Sequence, residues 1–229
     1  MLDTRALTEE QMDAEDLDPA VYARVLKDLA QVNTLTMARR PTLSFLSRVV
    51  DRNSGPLRIL DVGFGDGDML RRIAQWAKAR RQAVELVGID LNPRSAATAS
   101  AHTSASLPIR YRTGDYADLA AEPWDVILSS LVAHHMTHDQ LVAFLRFMDG
   151  HALRGWFIND LHRHGFAYAG YPLLARIAGW HRIVREDGTL SIARSYRPQE
   201  WPPILAQAGV HKARVFRTFP FRLCVEAIR

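Results

Sequence analysis

From Leu57 onward the chain alternates short runs rich in β-branched and aliphatic residues with longer stretches of helical periodicity. This alternation restricts the fold more than any other feature, because strands separated by helices pack as a parallel α/β sheet. The runs at 57–62, 84–90, 109–111, 124–129 and 156–159 end in turn-forming or charged residues and are read as strands. Helical patterns fill the gaps at 66–79, 93–101 and 138–148; in the first, Met69, Leu70, Ile73, Trp76 and Ala77 share one face. Each is long enough for a right-handed crossover. A helix at 198–208 and two strands at 213–218 and 221–228, with Pro220 in the tight turn between them, add an antiparallel hairpin. Two further helices, 19–32 and 41–50, precede the first strand, the second with Pro41 in its first turn.

The chain of 229 residues, 48% hydrophobic and 24% charged, is sized for one domain with a full core. A single cysteine, Cys224, excludes an internal disulfide and a cysteine-built zinc site, so a cytoplasmic home is the default expectation. The acidic N-terminus lacks the apolar core of a signal peptide, and the most apolar later stretch, 167–180, is too short to span a bilayer and carries Arg176. The net charge of +4 hides an asymmetry: residues 1–28 hold eight acids and three bases, whereas 151–229 hold twelve bases and five acids. The basic half suits an anionic partner, but scattered surface charge also serves solubility alone.

The stretch Ile59-Leu-Asp-Val-Gly-Phe-Gly-Asp-Gly-Asp68 is an apolar strand ending in an acid, then three alternate glycines, then a helix. Gly63, Gly65 and Gly67 allow a turn against which a ligand can lie. A dinucleotide turn reads G-x-G-x-x-G and holds a pyrophosphate. Here the spacing is G-x-G-x-G, and Asp61 favours a ligand with a cationic amino-acid group over a phosphate. A structural strand-to-helix turn is the plainer alternative.

The stretch resembles the first motif of class I S-adenosylmethionine (SAM)-dependent methyltransferases. The resemblance extends over most of 57–160 and implies a Rossmann-like fold: a seven-stranded, mostly parallel sheet with an antiparallel C-terminal hairpin and helices on both faces. It divides the single domain into an N-terminal helical cap (1–50), a SAM-binding core (57–160), a substrate-pocket insert (161–197) and a C-terminal helix and hairpin (198–229). It also implies SAM as cofactor, S-adenosylhomocysteine (SAH) as product, and roles for particular residues. Asp61 and the three glycines border the cofactor, Asp90 with Leu91 meets the ribose, and Asp115 with Tyr116 meets the adenine. Ser129 and Ser130 border the methionine part, and Arg39 or, as the preferred choice, Arg40 meets its carboxylate. Asp90 has an alternative role as a helix cap.

Trp124-Asp-Val-Ile-Leu-Ser-Ser-Leu-Val-Ala-His-His135 lacks the Asn/Asp-Pro-Pro-Tyr signature typical of nucleic-acid and glutamine amino-methyltransferases of this fold, which points to a small-molecule acceptor, anionic or aromatic, rather than nucleic acid. A histidine near neutral pKa helps methyl transfer to a hydroxyl by removing its proton, so His134, His135 and His162 are the candidate bases. The spacing of His134 and His138 would also suit a metal pair, but a third ligand is not evident and no metal is expected. In Asn159-Asp-Leu-His-Arg-His164, Asp160 and Arg163 are expected at the substrate, with Tyr168 and Tyr171 from the insert and an aromatic wall including Phe166 and Trp180. Pairing of Asp160 with Arg163, and aromatic residues that only fill a core, are the structural alternatives. The run from Asn159 into the insert is similar to small bacterial methyltransferases of polyketide and aromatic natural-product pathways. Methylation of a phenolic oxygen is the reading that follows; N- or C-methylation, and a SAM-binding module without turnover, are the alternatives.

Overall fold

The structure, a computed structural model, describes residues 2–14, 16–50 and 55–229; of the cap read over 1–50, residues 1 and 15 lie outside the described residues. Seven strands, β1 (Leu57–Val62), β2 (Val84–Asp90), β3 (Ile109–Thr113), β4 (Trp124–Ser130), β5 (Ala152–Leu161), β6 (Arg214–Thr218) and β7 (Arg222–Ile228), form one sheet in the order β3-β2-β1-β4-β5-β7-β6. The first five are parallel, and β7 runs antiparallel to both β5 and β6. The expected Rossmann-like sheet with its C-terminal hairpin is therefore present. Strand order reverses between β1 and β4, the place where open α/β sheets leave a crevice beyond their carboxyl ends.

Helices α1 (Pro19–Leu35) and α2 (Arg40–Val49) precede the sheet, and α3 (Asp68–Arg80), α4 (Pro93–Ala101) and α5 (His138–His151) make the crossovers. Strand side chains alternate between two cores. Leu60, Ile127, Trp156 and Val225 pack with α5 and with α8 (Trp201–Ala208), while Ile59, Val126, Phe157 and Cys224 pack with α2 and α3. Both faces are thus covered, as burial of a parallel sheet requires. Local chemistry sets the helix starts: Asp18 caps α1, Asn92 caps α4, and Thr137 with Gln140 forms a capping box on α5.

Several boundaries differ from the sequence reading, three of them near the cavity or the sheet's core. Strand β5 is extended backwards to Ala152 by pairing with Trp124 of β4, a long-range constraint that periodicity does not reveal. Helix α3 begins at Asp68 rather than 66, because Gly67 is left-handed (φ 77°) and the Asp66 carboxylate accepts the Asp68 amide at 3.0 Å. The insert is mostly helical, α6 (Gly165–Ile177) and α7 (Arg182–Arg194), and packs with α1 around buried Val25, Trp180, Ile183 and Val184. This third layer lies over the ligand end of the sheet. Among the described residues no helix is long and apolar enough to cross a membrane.

Candidate active site

A cavity of about 700 Å³ opens beyond the carboxyl ends of β1, β2, β4 and β5, beneath α1, α6, α7 and the segment carrying Glu10 to Asp13. That volume is typical of small-molecule sites. At one end lies the glycine turn. Gly63, Gly65 and Gly67 all have positive φ, and a side chain at Gly67 would drive into the Tyr111 hydroxyl. Gly65 is different: a Cβ there would meet only Leu26 Cδ2, at 3.9 Å, so its bare backbone leaves room on the cavity side.

Asp90 ends β2 and accepts the amides of Gly65 and Asn92, each at 2.9 Å, so it ties the glycine turn to the next strand. Asp61 is buried, and its Oδ1 has no hydrogen-bond partner among the described residues. Burial first, then Asp68 and Asp90 nearby, push its pKa well above the usual carboxylate value; burial likewise raises those of Asp68 and Asp90. Three carboxylates whose ionisation is hindered, Asp61 by burial and by the other two, form an electrostatic sink for a cationic ligand.

The other expected cofactor residues divide. Leu91, Tyr116 and Ser130 line the cavity, Tyr116 against Phe144 and Phe147, and the buried Ser130 Oγ is also unpartnered among the described residues. Leu131 follows in a left-handed conformation (φ 62°), a strained backbone for a leucine at the mouth of β4. Asp115 is turned away, capping a short 3-10 turn through the Ala117 amide, and the Ser129 hydroxyl donates to Val62 O inside the sheet. Arg40 is exposed and outside the cavity; Arg39 lines it, paired with Asp68 at 2.6 Å.

The cavity is also lined by an acid–base cluster. His134 Nδ1 donates to Asp160 Oδ1 at 2.7 Å, and the His134 amide donates to Asp160 Oδ2 at 2.9 Å. Its Nε2 faces Glu10 Oε1 at 3.6 Å. Although burial opposes charge, Asp160 and then Glu10 raise the His134 pKa to about 9, so the ring is cationic at neutral pH. Glu10 and Asp160 are correspondingly lowered by His134, against their own burial. His135 has its Nδ1 at 3.1 Å from Asp13 and its Nε2 at 3.8 Å from Glu10. Glu10, His134 and His135 place one ligand atom each within 4.8 Å of one another, a span a divalent cation could bridge. The chain Asp160–His134–Glu10–His135–Asp13 already accounts for the grouping as a proton network. His138 sits apart, bonded to Gln207, so it does not pair with His134.

Asp160 therefore supports His134 from beneath and does not line the cavity. Arg163 is fully buried and paired with Glu200 at 2.6 Å, which excludes the Asp160–Arg163 pair considered from the sequence. His162 lines the cavity; burial, then the positive charges of His164, Arg217, Arg197 and Arg163, depress its pKa to about 4 and keep it neutral. Tyr171 lines the cavity with its hydroxyl donating to Val184 O, and burial raises its pKa. Tyr168 does not line it. Trp180 is buried in the insert's own core, and Phe166 stands exposed at the rim.

Two residues escaped the sequence reading. Glu10 belongs to an N-terminal segment held down by Asp187, which accepts the Gln11 and Met12 amides, and Ser191 donates to the Glu10 carboxylate. Arg222, at the start of β7, is 2% exposed and lines the cavity. Neither residue lies in a recognisable motif, and each reaches the site only through long-range packing.

Residues 59–152 match the family described as a methyltransferase domain. The match spans β1 to the start of β5, including the glycine turn and the histidine loop, and bears out the resemblance to SAM-dependent methyltransferases. Among solved structures, the plantazolicin methyltransferase BpumL in complex with SAH is similar at 15% identity and a TM-score of 0.68, over 94% of this chain and 91% of that one. The methyltransferase (CMeT) domain of citrinin polyketide synthase is 14% identical at a TM-score of 0.58, over 83% of this chain and 52% of that one. Magnesium protoporphyrin IX methyltransferase from Synechocystis PCC 6803, with bound SAH, is 16% identical at a TM-score of 0.54, over 96% and 91%. No curated protein matches the chain in sequence.

The glycine-turn end of the cavity fits SAM. The unpartnered Asp61 carboxylate suits an ammonium group, Asp90 suits ribose hydroxyls, and the backbone at Gly65 leaves the space a ligand would fill.

Proposed function

We propose that the protein transfers a methyl group from SAM to the hydroxyl oxygen of a small phenolic or otherwise aromatic acceptor. The observation that carries this reading is one cavity lined both by a cation-seeking carboxylate at the glycine turn and by an oriented histidine cluster. SAM, when bound, supplies an electrophilic methyl; the chain's own residues must align the acceptor and handle one proton. His135 is our choice of base. Asp13 takes its Nδ1 hydrogen, which leaves Nε2, 3.8 Å from Glu10 Oε1, as the nitrogen that accepts a proton. His134, held cationic between Asp160 and Glu10, keeps Glu10 ionised and the segment carrying it in place. That the similar structures include enzymes of plantazolicin, citrinin and magnesium protoporphyrin IX supports a small-molecule acceptor.

Calorimetry with SAM and SAH tests the foundation, and a phenol screen tests the acceptor. Micromolar SAH binding together with loss of methyl transfer in His135→Gln, with SAH affinity kept, is the expected result. A folded wild type that binds neither SAM nor SAH ends the methyltransferase reading. Turnover that survives replacement of both His134 and His135 ends the histidine-base reading and favours N- or C-methylation. SAM binding without transfer to any acceptor leaves a binding module.

A further inference from the structure

Arg222 carries a full positive charge into the interior without an anion to meet it. Its Nη2 donates to Thr36 Oγ1 at 3.2 Å, while Nε and Nη1 have no hydrogen-bond partner among the described residues. The carboxylates that act on it electrostatically, Asp160 and Asp68, are already engaged by His134 and Arg39. A buried guanidinium in this condition is costly unless a ligand completes it, and its planar fork matches a carboxylate.

Its position separates it from the cofactor end. Arg222 pairs with Leu161, the last residue of β5, whereas Asp61 on β1 lies level with Leu128 and, through it, Phe157. The offset is three strand spacings across and four residues along, about 14 Å by 13 Å. Asp68 and Asp90 act on Asp61, whereas Asp160, Cys224 and Asp68 act on Arg222. Beside Arg222, His162 also lines the cavity under the positive charge of Arg163, Arg197 and Arg217, so the potential at this end attracts an anion.

We propose that Arg222 binds a carboxylate on the acceptor, so that the substrate class is an aromatic acid with its hydroxyl toward the histidine cluster. This rests on the methyl-transfer reading. A carboxylate could also come from the amino-acid end of SAM, and the test separates the two sources.

Binding of a panel of phenolic acids and their neutral amides, beginning with 4-hydroxybenzoate and 4-hydroxybenzamide, is measured by calorimetry on the SAH-saturated wild type, Arg222→Gln and Arg222→Lys. The expected result is an acid preference of at least tenfold in the wild type, lost in Arg222→Gln, partly restored in Arg222→Lys, with SAH affinity unchanged. If SAH binding weakens in Arg222→Gln while 5′-methylthioadenosine, which lacks the amino-acid group, binds both proteins equally, the carboxylate is the cofactor's and the acceptor assignment falls. A wild type that binds no acid of the panel better than its amide overturns it as well. The free Arg222→Met protein should melt no lower than wild type, because an uncompensated buried charge has been removed; a sharp loss of stability would show that Arg222 is satisfied within the fold, against the proposal. Failure of SAH to bind the wild type at all would count against the methyl-transfer reading itself.

Discussion

Asp61, which we propose meets the ammonium group of SAM, works against the stability of the free protein. Its pKa is raised in the folded state, so the carboxylate costs stability once pH exceeds the unfolded value near 4, and the cost persists through neutrality. Asp61→Asn should therefore melt at or above the wild-type temperature at pH 7 while binding SAM at least tenfold more weakly, since a charge-assisted hydrogen bond is worth about 1.5–3 kcal/mol. Thermal melts and calorimetry on the same preparations check both halves. Gly65 and Gly67 should separate in the same way. Gly67→Ala strains a left-handed position and collides with Tyr111, for an expected loss of about 2–4 kcal/mol in urea denaturation. Gly65→Ala meets only an ordinary contact with Leu26, so its cost is the left-handed strain of about 1 kcal/mol and its main effect is weaker SAH binding. Cys224, fully buried with its thiol pushed up to about 12, should resist thiol reagents until the protein unfolds.

At the scale of elements, the acceptor side of the cavity is assembled from pieces that have no fixed relation in the sequence. The N-terminal segment reaches the histidine loop because Asp187 on α7 accepts its Gln11 and Met12 amides at 3.1 and 2.9 Å, and because Arg5 bonds Tyr196 and the His134 carbonyl. Asp187→Ala should release it. Amide exchange at residues 10–12 is expected to accelerate tenfold or more, from two hydrogen bonds worth about 1 kcal/mol each, with SAH affinity retained and methyl transfer reduced. Hydrogen-exchange mass spectrometry measures the first effect. Unchanged exchange at residues 10–12 would mean that the other contacts hold the segment unaided. The insert helices α6 and α7 bury Ala175, Ile183 and Val184 against α1, so they form a packed roof with its own small core.

For the molecule as a whole, ligand and proton linkage give the clearest readouts. SAM at a hundred times its Kd should raise stability by about 2.7 kcal/mol, roughly 5–10 °C in Tm for a chain of this size. The increment should be larger at pH 8 than at pH 5, because the raised pKa of Asp61, with those of Asp68 and Asp90, leaves fewer anions for the cationic cofactor in acid. The His134–Asp160 pair sets a separate window. His134 titrates at about 9 when folded, so its contribution is full below 6.5 and lost as pH rises through 9; Asp160, lowered, contributes above its ordinary value near 4 and is lost in acid. Denaturation at pH 7 and 10 should therefore differ in the wild type and much less in His134→Gln.

The strands, the crossover helices and the glycine turn were legible along the chain because they depend on neighbours: alternation sets a strand, a 3.6-residue stripe sets a helix, and left-handed glycines set the turn after Asp61. His134 and His135 were legible too, since they fall at the end of a recognisable strand. Their partners were not. Glu10 lies 124 residues before His134, and Arg222 lies on a strand that meets β5 only after the chain has crossed the sheet. Side chains such as Asp115, Ser129, Arg40 and Tyr168 share the local sequence context of the site, yet they point into a cap, a strand, the exterior or the insert. By itself the sequence determined the parallel strands, the C-terminal hairpin and the glycine turn, because those follow from local periodicity and backbone freedom. Only the tertiary structure decided which charges face the cavity, because the burial and pairing of a charged group depend on residues that long-range packing alone brings together.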